Sequence, residues 1–207
     1  MSIITLEEFL NQLASSEPTP GGGGAAAVMG AMGAGLLSMV ARLTIGKQGY
    51  EGSNQEMEAQ LRNTEALRQQ FYSLIEKDAQ AFGRLMAAYR LPRESSAQTE
   101  SRISAIQGAL EEATRVPLIC AEACAAGIRL AVQSASMGNR NVITDTGAGV
   151  LAFQAALRAS ALNVMINVPH IRARDFSEGA KITIDALLCE YLPLSEQVMK
   201  TVEMRLT

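Results

Sequence analysis

The sequence contains no tryptophan, and Phe and Tyr together supply only 4% of its 207 residues. Strands favour aromatic and β-branched residues, so a core made mainly from Ala, Leu, Ile, Val and Met favours helices. A chain of this length can bury one sizeable core. No alternating apolar pattern, internal repeat or linker is present. We therefore predict a single all-α domain over residues 1–207.

Metal-ligating and disulfide-forming residues are also scarce. The chain has one histidine, His170, and three cysteines, Cys120, Cys124 and Cys189. These are too few for a disulfide framework or an ordinary zinc site, so we expect no metal and small buried thiols at Cys120 and Cys124. The net charge is −3 and no basic stripe is present, so no nucleic-acid partner is expected. The acidic, amphipathic N-terminus does not resemble a signal peptide, and a cytoplasmic location is expected.

A run of 21 residues, Gly21 to Ala41, carries no charge. It opens with four glycines, Gly21, Gly22, Gly23 and Gly24, which predict a loop whose backbone approaches something closely, because glycine is costly inside helices and strands. The apolar residues after it recur every three or four positions, as in a helix. They are Val28, Met32, Leu36, Met39 and Leu43. The first N–H groups of that helix are expected to meet a ligand, although a loop that serves only packing is the alternative.

The same run is rich in Ala and Gly, which let a neighbouring helix approach closely. This helix is therefore predicted to be the central one of a bundle. Its length also raises the possibility of a membrane span. No aromatic belt flanks it, and an acidic amphipathic helix precedes it, so we expect no membrane partner.

Capping residues and prolines define the other predicted helices. Two capping boxes are expected to begin helices, Thr5 with Glu8 and Ser53 with Glu56. Besides the central helix, one helix is predicted to run to about Ser15 and a long one from Ser53 to about Tyr89. The next is predicted from about Gln98 to Ser136, with a kink near Pro117. The last two are predicted from Thr144 or Asp145 to about Val168, and from about Phe176 to Arg205 with a kink at Pro193. The long helix from Ser53 to about Tyr89 is predicted to bury an apolar stripe that ends at Tyr89.

Asp78 is the acid that this stripe singles out. It falls among Phe71, Ile75, Phe82 and Leu85, at steps of three and four residues. A carboxylate on an apolar stripe is costly unless it is paired or hydrogen-bonded. Asp78 is thus predicted to be a functional carboxylate facing a cleft, with a purely structural pairing as the alternative.

Two further groups of polar residues are candidates for binding. The first lies between two predicted helices and comprises Asn139, Asn141, Thr144 and Asp145, for which simple turn and capping chemistry is the alternative. The second is Asn163 and Asn167, one helical turn apart on a face of small residues. These two amides can bond across a helix interface or line a pocket, and the sequence does not separate the two.

Three motifs in order resemble one known family. They are PTPGGGGAAAVMGAMGAGLLSMVARLTIGK, IEKDAQAF, and GNRNVITDTGAGV followed by NVMIN. They are similar to the cyclodeaminase-type domain of formiminotransferase-cyclodeaminase and to stand-alone bacterial methenyltetrahydrofolate cyclohydrolases. The family usually has Ser where this chain has Gly24, and usually reads SDAGVAA around Asp145.

The resemblance implies an up-and-down helical bundle that dimerises and acts on one-carbon forms of tetrahydrofolate. The expected reaction is cyclohydrolysis of the 5,10-methenyl form or cyclodeamination of the 5-formimino form, with no cofactor beyond the folate substrate. Asp78 and Asp145 are the expected catalytic residues. The four glycines and the asparagines and threonine above are the expected substrate-binding residues, and Lys47 is expected to hold the anionic folate tail. A non-catalytic folate-binding or structural dimer is the alternative.

Overall fold

The computed structural model describes residues 5–206, and all regular structure within that range is helical. Six α-helices follow one another: α1 Leu6–Leu13, α2 Gly22–Arg42, α3 Asn54–Tyr89, α4 Ser96–Met137, α5 Ile143–Asn167 and α6 Arg174–Leu206. Three 3-10 turns lie between them, at Glu51–Ser53, Arg140–Val142 and Val168–His170. The predicted all-α class is confirmed.

Helices α2, α3, α4 and α5 form an up-and-down four-helix bundle, in which each helix packs against the next and α5 closes the ring against α2. Near the middle, the rings of Phe71 on α3 and Phe153 on α5 lie 6.1 Å apart. The ring of Phe71 faces Gly30 of α2, and the ring of Phe153 faces Gly127 of α4. Helix α6 packs against α4 and α5 on the outside of the ring.

Helix α2 is one of the four helices of the ring and not its centre as predicted, and its orientation also differs from the simplest interpretation of its apolar pattern. The residues it buries are mostly small, including Gly30, Gly33 and Ala34, while Met32 is 60% exposed. A side chain at Gly30 would collide with Phe71, and one at Gly33 would come within 2.9 Å of the Gly149 carbonyl oxygen. Because α3 and α5 approach so closely, only small residues fit inside, and the larger ones face outward.

The glycine run is the clearest correction to the sequence prediction. Gly22, Gly23 and Gly24 form the first turn of α2, and only Gly21 precedes the helix as its N-cap. The missing side chains allow the Asp78 carboxyl group to pack directly against this first turn. Glycine destabilises a helix, but at this turn it permits neighbouring groups to come closest to the backbone.

Helix starts are predicted correctly in one case and wrongly in another. The capping box of Thr5 and Glu8 is confirmed, although α1 ends at Leu13. The box predicted at Ser53 is wrong, because Ser53 makes no side-chain cap. It lies in a 3-10 turn, and the Asn54 side chain instead accepts a hydrogen bond of 2.9 Å from the Gly46 N–H.

The start of α5 is also not capped as predicted. Val142 occupies the N-cap position and makes no side-chain cap, so Thr144 and Asp145 lie inside the first turn. Pro117 and Pro193 lie inside α4 and α6, which both continue past them. Tyr89, predicted to be on the buried stripe, is 43% exposed, whereas Ala88 and Leu85 in the same part of α3 are buried.

Three segments are long and apolar enough to cross a membrane by length and composition: Gly22–Arg42, Ser96–Met137 and Arg140–His170. About half of each apolar window, 56%, 56% and 44% respectively, is buried inside the bundle. Their hydrophobicity is therefore explained in large part by helix packing.

Candidate active site at one end of the bundle

The predicted site residues fall at opposite ends of the bundle. Gly22, Gly23, Asp78 and Asn163 meet at the N-terminal end of α2. The remaining polar group, around Asn139, lies at the C-terminal end of the same helix. Since α2 has 21 residues, the two ends are about 30 Å apart in one chain.

The N-terminus of α2 offers backbone donors rather than side chains. Gly21 at the N-cap has no side chain, so no cap bonds the N–H groups of the first turn. A helix begins with N–H groups that have no partner within the helix, and these carry the positive end of its dipole. At Gly22, an added Cβ would lie 3.6 Å from Nδ2 of Asn163, so α5 borders this turn closely.

The carboxyl group of Asp78 packs directly on Gly23, where any side chain would collide with it. Burial raises the pKa of Asp78 above its ordinary value, and the Gly24 N–H, which donates toward the carboxylate, offsets part of that rise. Among the described residues, no Lys or Arg forms an ion pair with Asp78. Asp78 is therefore a half-buried carboxyl group whose proton affinity is raised.

Beneath Asp78 the bundle interior is partly polar. Cys120 on α4 lies within electrostatic reach of Asp78, and the Ser160 hydroxyl of α5 lies beside the Cys120 thiol. Ser160 is fully buried, and its hydroxyl has no hydrogen-bond partner of normal geometry among the described residues. Burial raises the pKa of the neighbouring Cys124 thiol, so this thiol is neutral. The prediction that both cysteines are buried is confirmed.

The sequence leaves two roles open for the asparagines of α5, a bond across a helix interface or the lining of a pocket, and the two residues differ in this respect. Nδ2 of Asn167 donates to the Ala113 carbonyl of α4 at 3.1 Å, which is a bond across a helix interface. Nδ2 of Asn163 donates to the Ala159 carbonyl of its own helix at 2.9 Å, beside Gly22. Asn163 therefore borders the candidate site, and Asn167 ties α5 to α4.

At the far end, Asn139 is fully engaged by the protein itself. Its N–H donates to Oγ1 of Thr44 at 2.8 Å, and its Nδ2 donates to the Leu43 carbonyl at 2.9 Å. Its Oδ1 accepts from the Asn141 N–H at 3.0 Å. Asn139 is 4% exposed, and these bonds join the loop after α4 to the end of α2.

The other residues predicted at this end are more accessible. Asn141 and Thr144 are exposed, and Asp145 and Lys47 are partly exposed. Lys47 lies in the turn after α2. Their predicted roles toward a substrate stay predictions, and within one chain they do not share a cleft with Asp78.

A comparison with protein families identifies this architecture. The model of the formiminotransferase-cyclodeaminase family matches residues 5–186, which include both ends of the bundle. The chain belongs to this family. The resemblance seen in the glycine run, the Asp78 segment and the Asn139 segment is thereby confirmed.

Individual members of the formiminotransferase-cyclodeaminase family extend the comparison. The chain is 45% identical over 199 residues to a methenyltetrahydrofolate cyclohydrolase of Methylorubrum extorquens, covering 96% of each sequence. It is 28% identical over 201 residues to the formimidoyltransferase-cyclodeaminase of Rattus norvegicus, of which it spans 37%. The crystal structure of a formiminotetrahydrofolate cyclodeaminase from Thermotoga maritima superposes with a TM-score of 0.87 at 30% identity, covering 97% of this chain and 96% of that one.

The family motifs do not include every residue that borders the site. A groove of about 620 Å³ runs between α1, α2 and α3, and Pro20 and Ala79 line the end of it that is nearest Asp78. Arg68, Tyr72 and Ile75 also line it. Together with Ala79 these residues are spaced by four, three and four positions, a second helical face of α3 that the sequence analysis did not single out. Ser160 belongs to the small-residue face that carries Asn163 and Asn167, but a serine among small core residues gives no signal of a polar role.

Metal ligands do not gather in this part of the molecule. Across residues 5–206, no three His, Cys, Asp or Glu side chains come together as metal ligands would. The polar groups that the candidate site does offer are a carboxyl group of raised proton affinity, backbone amides and an amide side chain. These are suited to hydrogen bonding and proton transfer.

Proposed function

We propose that the protein is a tetrahydrofolate one-carbon enzyme, and specifically a methenyltetrahydrofolate cyclohydrolase. The observation that carries the proposal is the pairing of Asp78, whose pKa is raised, with the amide groups at the start of α2. The relative at 45% identity bears that name and has nearly the same length, which favours cyclohydrolysis. Formiminotetrahydrofolate cyclodeamination is the second candidate, favoured by the structural relative of that name.

In cyclohydrolysis, water adds to the bridging carbon of the 5,10-methenyl cation. Asp78, as carboxylate, accepts a proton from the attacking water as the C–O bond forms. The tetrahedral intermediate then loses its hydroxyl proton, the bond from carbon to N5 breaks, and N5 takes a proton that Asp78 returns. The products are the 10-formyl form and one proton, so no other reactant is required.

The amides of Gly22 and Gly23 have a separate task in this proposal, since the Gly24 N–H already donates toward Asp78. Negative charge develops on the oxygen as the C=O bond forms from the tetrahedral carbon. Fixed N–H donors at the positive end of a helix stabilise such an oxygen without having to reorganise. Because these donors are backbone groups, the chain lacks the usual hydroxyl at Gly24 without losing them.

Cyclodeamination would use the same groups in another order. The nitrogen on the p-aminobenzoate side attacks the formimino carbon, and ammonia leaves after it receives a proton. A protonated Asp78 can supply that proton, which a raised pKa favours. Both reactions are proton transfers and bond changes at one carbon, so the proposal needs no cofactor beyond the tetrahydrofolate substrate.

We also propose a homodimer formed through the exposed faces of α2 and α5. Met39 on α2 is 38% exposed, and Leu151 and Leu162 on α5 are 46% and 68% exposed. The adjoining stretch of α2 carries no charge from Gly21 to Ala41. An extended apolar face on a helical bundle is typical of an interaction surface. Light scattering should give twice the chain mass, and Leu151→Glu should shift it toward the monomer.

A cytoplasmic location, without a membrane or nucleic-acid partner, completes the proposal. It is supported by the net charge of −3, by the absence of a basic stripe and by the burial of about half of each membrane-length window. Fractionation of cells that produce the protein tests the location, because a membrane protein would sediment with the vesicles.

The decisive experiment incubates the purified protein with each substrate and follows the near-ultraviolet absorbance of the methenyl form. A cyclohydrolase removes this absorbance from the 5,10-methenyl substrate, whereas a cyclodeaminase creates it from the 5-formimino substrate. Asp78→Asn serves as the control, since any absorbance change that it retains does not depend on the Asp78 carboxylate. No change with either substrate, together with measurable folate binding, would favour the non-catalytic alternative.

A further inference from the structure

The groove between α1, α2 and α3 begins beside the candidate active site and extends away from it. Pro20 lines the groove and also contacts Gly24, where an added Cβ would lie 3.5 Å from it. Along α3 the lining runs from Ala79 back to Arg68, which is about 16 Å at the helical rise. Its volume of about 620 Å³ is within the range of about 300–1,000 Å³ that is typical of small-molecule sites.

The walls of the groove are mainly apolar and partly exposed. Met32 and Tyr72 are 60% and 48% exposed, and Val28 and Ile75 complete the walls on the two helices. Such walls suit a flat aromatic ring, which can lie against the Tyr72 ring and the Met32 side chain. A face of this kind beside a polar site has the form expected of a ligand groove.

Positive charge is concentrated at the far end. Glu65 lies between two guanidinium groups, with Arg68 at 2.8 Å and Arg42 at 3.2 Å. One carboxylate between two arginines leaves a net charge of +1. Arg68 therefore keeps N–H donors for another carboxylate, and guanidinium groups bind carboxylates with two parallel bonds.

We propose that this groove binds the p-aminobenzoyl-glutamate part of the substrate, with the ring between Met32 and Tyr72 and a glutamate carboxylate on Arg68. The inference rests on the proposed function for the nature of the substrate, while the groove and its charges belong to the structure. It assigns the folate tail to Arg68 rather than to Lys47, which lies at the other end of α2.

Glu76, the other charged residue that lines the groove, supports binding with the tail toward Arg68 and the one-carbon centre toward Asp78. Glu76 lines the groove two residues from Asp78, and Arg68 lies eight residues earlier on α3. The one-carbon centre of the methenyl form is cationic and the tail is anionic. Glu76 therefore repels the tail from the Asp78 end, and Arg68 attracts it at the other.

Direct binding of p-aminobenzoyl-L-glutamate, measured by calorimetry, tests the groove without requiring turnover. We expect Arg68→Gln to weaken binding about ten-fold, because a hydrogen-bonded charge is lost. The amide of p-aminobenzoic acid, which has no glutamate, should bind equally to both proteins. Tyr72→Ala, at a half-exposed position, should weaken both probes, because the ring contact is lost.

Arg62→Gln is the matched control, since Arg62 is an exposed arginine of α3 that does not line the groove. It should bind p-aminobenzoyl-L-glutamate as the unaltered protein does. Arg68→Lys, which keeps the charge but not the paired geometry, should give an intermediate loss. Thermal unfolding of each variant shows whether any loss of binding follows from misfolding. Equal affinity of the Arg68→Gln and Arg62→Gln variants would overturn the proposal, as would no measurable binding by the unaltered protein.

Kinetics separate this inference from the proposed function. Arg68→Gln should raise KM about ten-fold for the methenyl substrate with its glutamate and leave kcat unchanged. For the same substrate without glutamate, KM should not change. If the enzyme turns over and KM shows no such difference, the proposed role of the groove is wrong and the proposed function stands. If binding depends on the glutamate and on Arg68 but no turnover occurs, the proposed role of the groove stands and the proposed enzymatic function is wrong.

Discussion

The two ends of the bundle contain similar polar residues that are used differently. At the Asn139 end, both side-chain atoms and the N–H of Asn139 are bonded within the protein, in a site that is 4% exposed. At the Asp78 end, the carboxyl group is half-buried without an ion pair, and the amides of the first turn of α2 have no cap. The hydrogen bonds of Asn139 are used within the fold, whereas the Asp78 carboxyl group and the amides of Gly22 and Gly23 are left for a ligand.

This difference separates structural from functional polar residues more sharply than residue type does. Asn, Asp and Gly occur at both ends, and the sequence motifs mark both. What distinguishes the ends is whether the hydrogen-bonding capacity of each group is used within the chain. Mutations should therefore reduce turnover at one end and stability at the other.

The largest effect is expected from Asp78→Asn, which keeps the shape of the side chain but removes the charge. If Asp78 transfers the proton, kcat should fall by about two to four orders of magnitude. If it only holds the pterin, the loss should appear mainly in KM. Steady-state kinetics with the methenyl substrate distinguish these results, and a folded variant with unchanged kcat and KM would return Asp78 to a structural role.

Gly23→Ala should come next, because the added methyl group collides with the Asp78 carboxyl group. Displacing a catalytic group by about 1 Å can cost about a hundred-fold in rate, so we expect kcat to fall ten- to hundred-fold. Gly83→Ala is the matched control, since Gly83 also lies within a helix but has nothing within 4 Å of an added Cβ. That control should gain about 0.5–1 kcal/mol of stability and keep its activity. Equal kcat in the two variants would contradict the close contact at Gly23.

Asn139→Ala should act mainly on stability. It removes two side-chain hydrogen bonds and leaves the Leu43 carbonyl without its partner, which should lower the free energy of unfolding by about 2 kcal/mol. Denaturant unfolding measures this change. Turnover per folded molecule should change far less than with Asp78→Asn. A loss of turnover at full stability would instead support the predicted role of Asn139 in binding substrate.

The smallest effect concerns pH, and its sign follows from the raised pKa of Asp78. In the folded protein this carboxyl group holds its proton to higher pH than in the unfolded chain. Its contribution to stability is complete below the unfolded pKa and is lost as pH rises through the folded pKa. Asp78→Asn should therefore be slightly more stable than the unaltered protein at neutral pH, with the difference shrinking in acid. Thermal unfolding across pH tests this, and a less stable variant at neutral pH would contradict it.

The sequence predicts the helical class and most helix boundaries, because these depend on local signals. Thr5 with Glu8 gives a capping box, and the spacing around Asp78 gives a helical face on which the acid stands out. The family motifs add the candidate site at Gly22–Gly24. These features require no knowledge of which helices are neighbours.

The errors arise where neighbouring helices decide the outcome. The glycine run has no side chains where Asp78 packs on it, and Met32 faces outward while Phe71 fills the space beside Gly30. Both facts depend on contacts between residues about 40 to 55 positions apart, counted along the sequence. The division of the polar motifs between two ends has the same origin, since residues 139–145 follow a helix that runs back along the bundle. The sequence does not indicate Arg68, because its proposed binding role depends on a groove that three helices form together.

The hydrogen bonds between Thr44, Leu43 and Asn139 have a consequence for the opposite end of α2. They fix the rotation of this helix about its own axis, since Leu43 and Thr44 follow its last turn directly. Together with the packing of α2 against α3 and α5, these bonds contribute to the direction in which Gly22 and Gly23 present their amides about 30 Å away. Substitutions in the loop after α4 can therefore alter the alignment of the site without touching it.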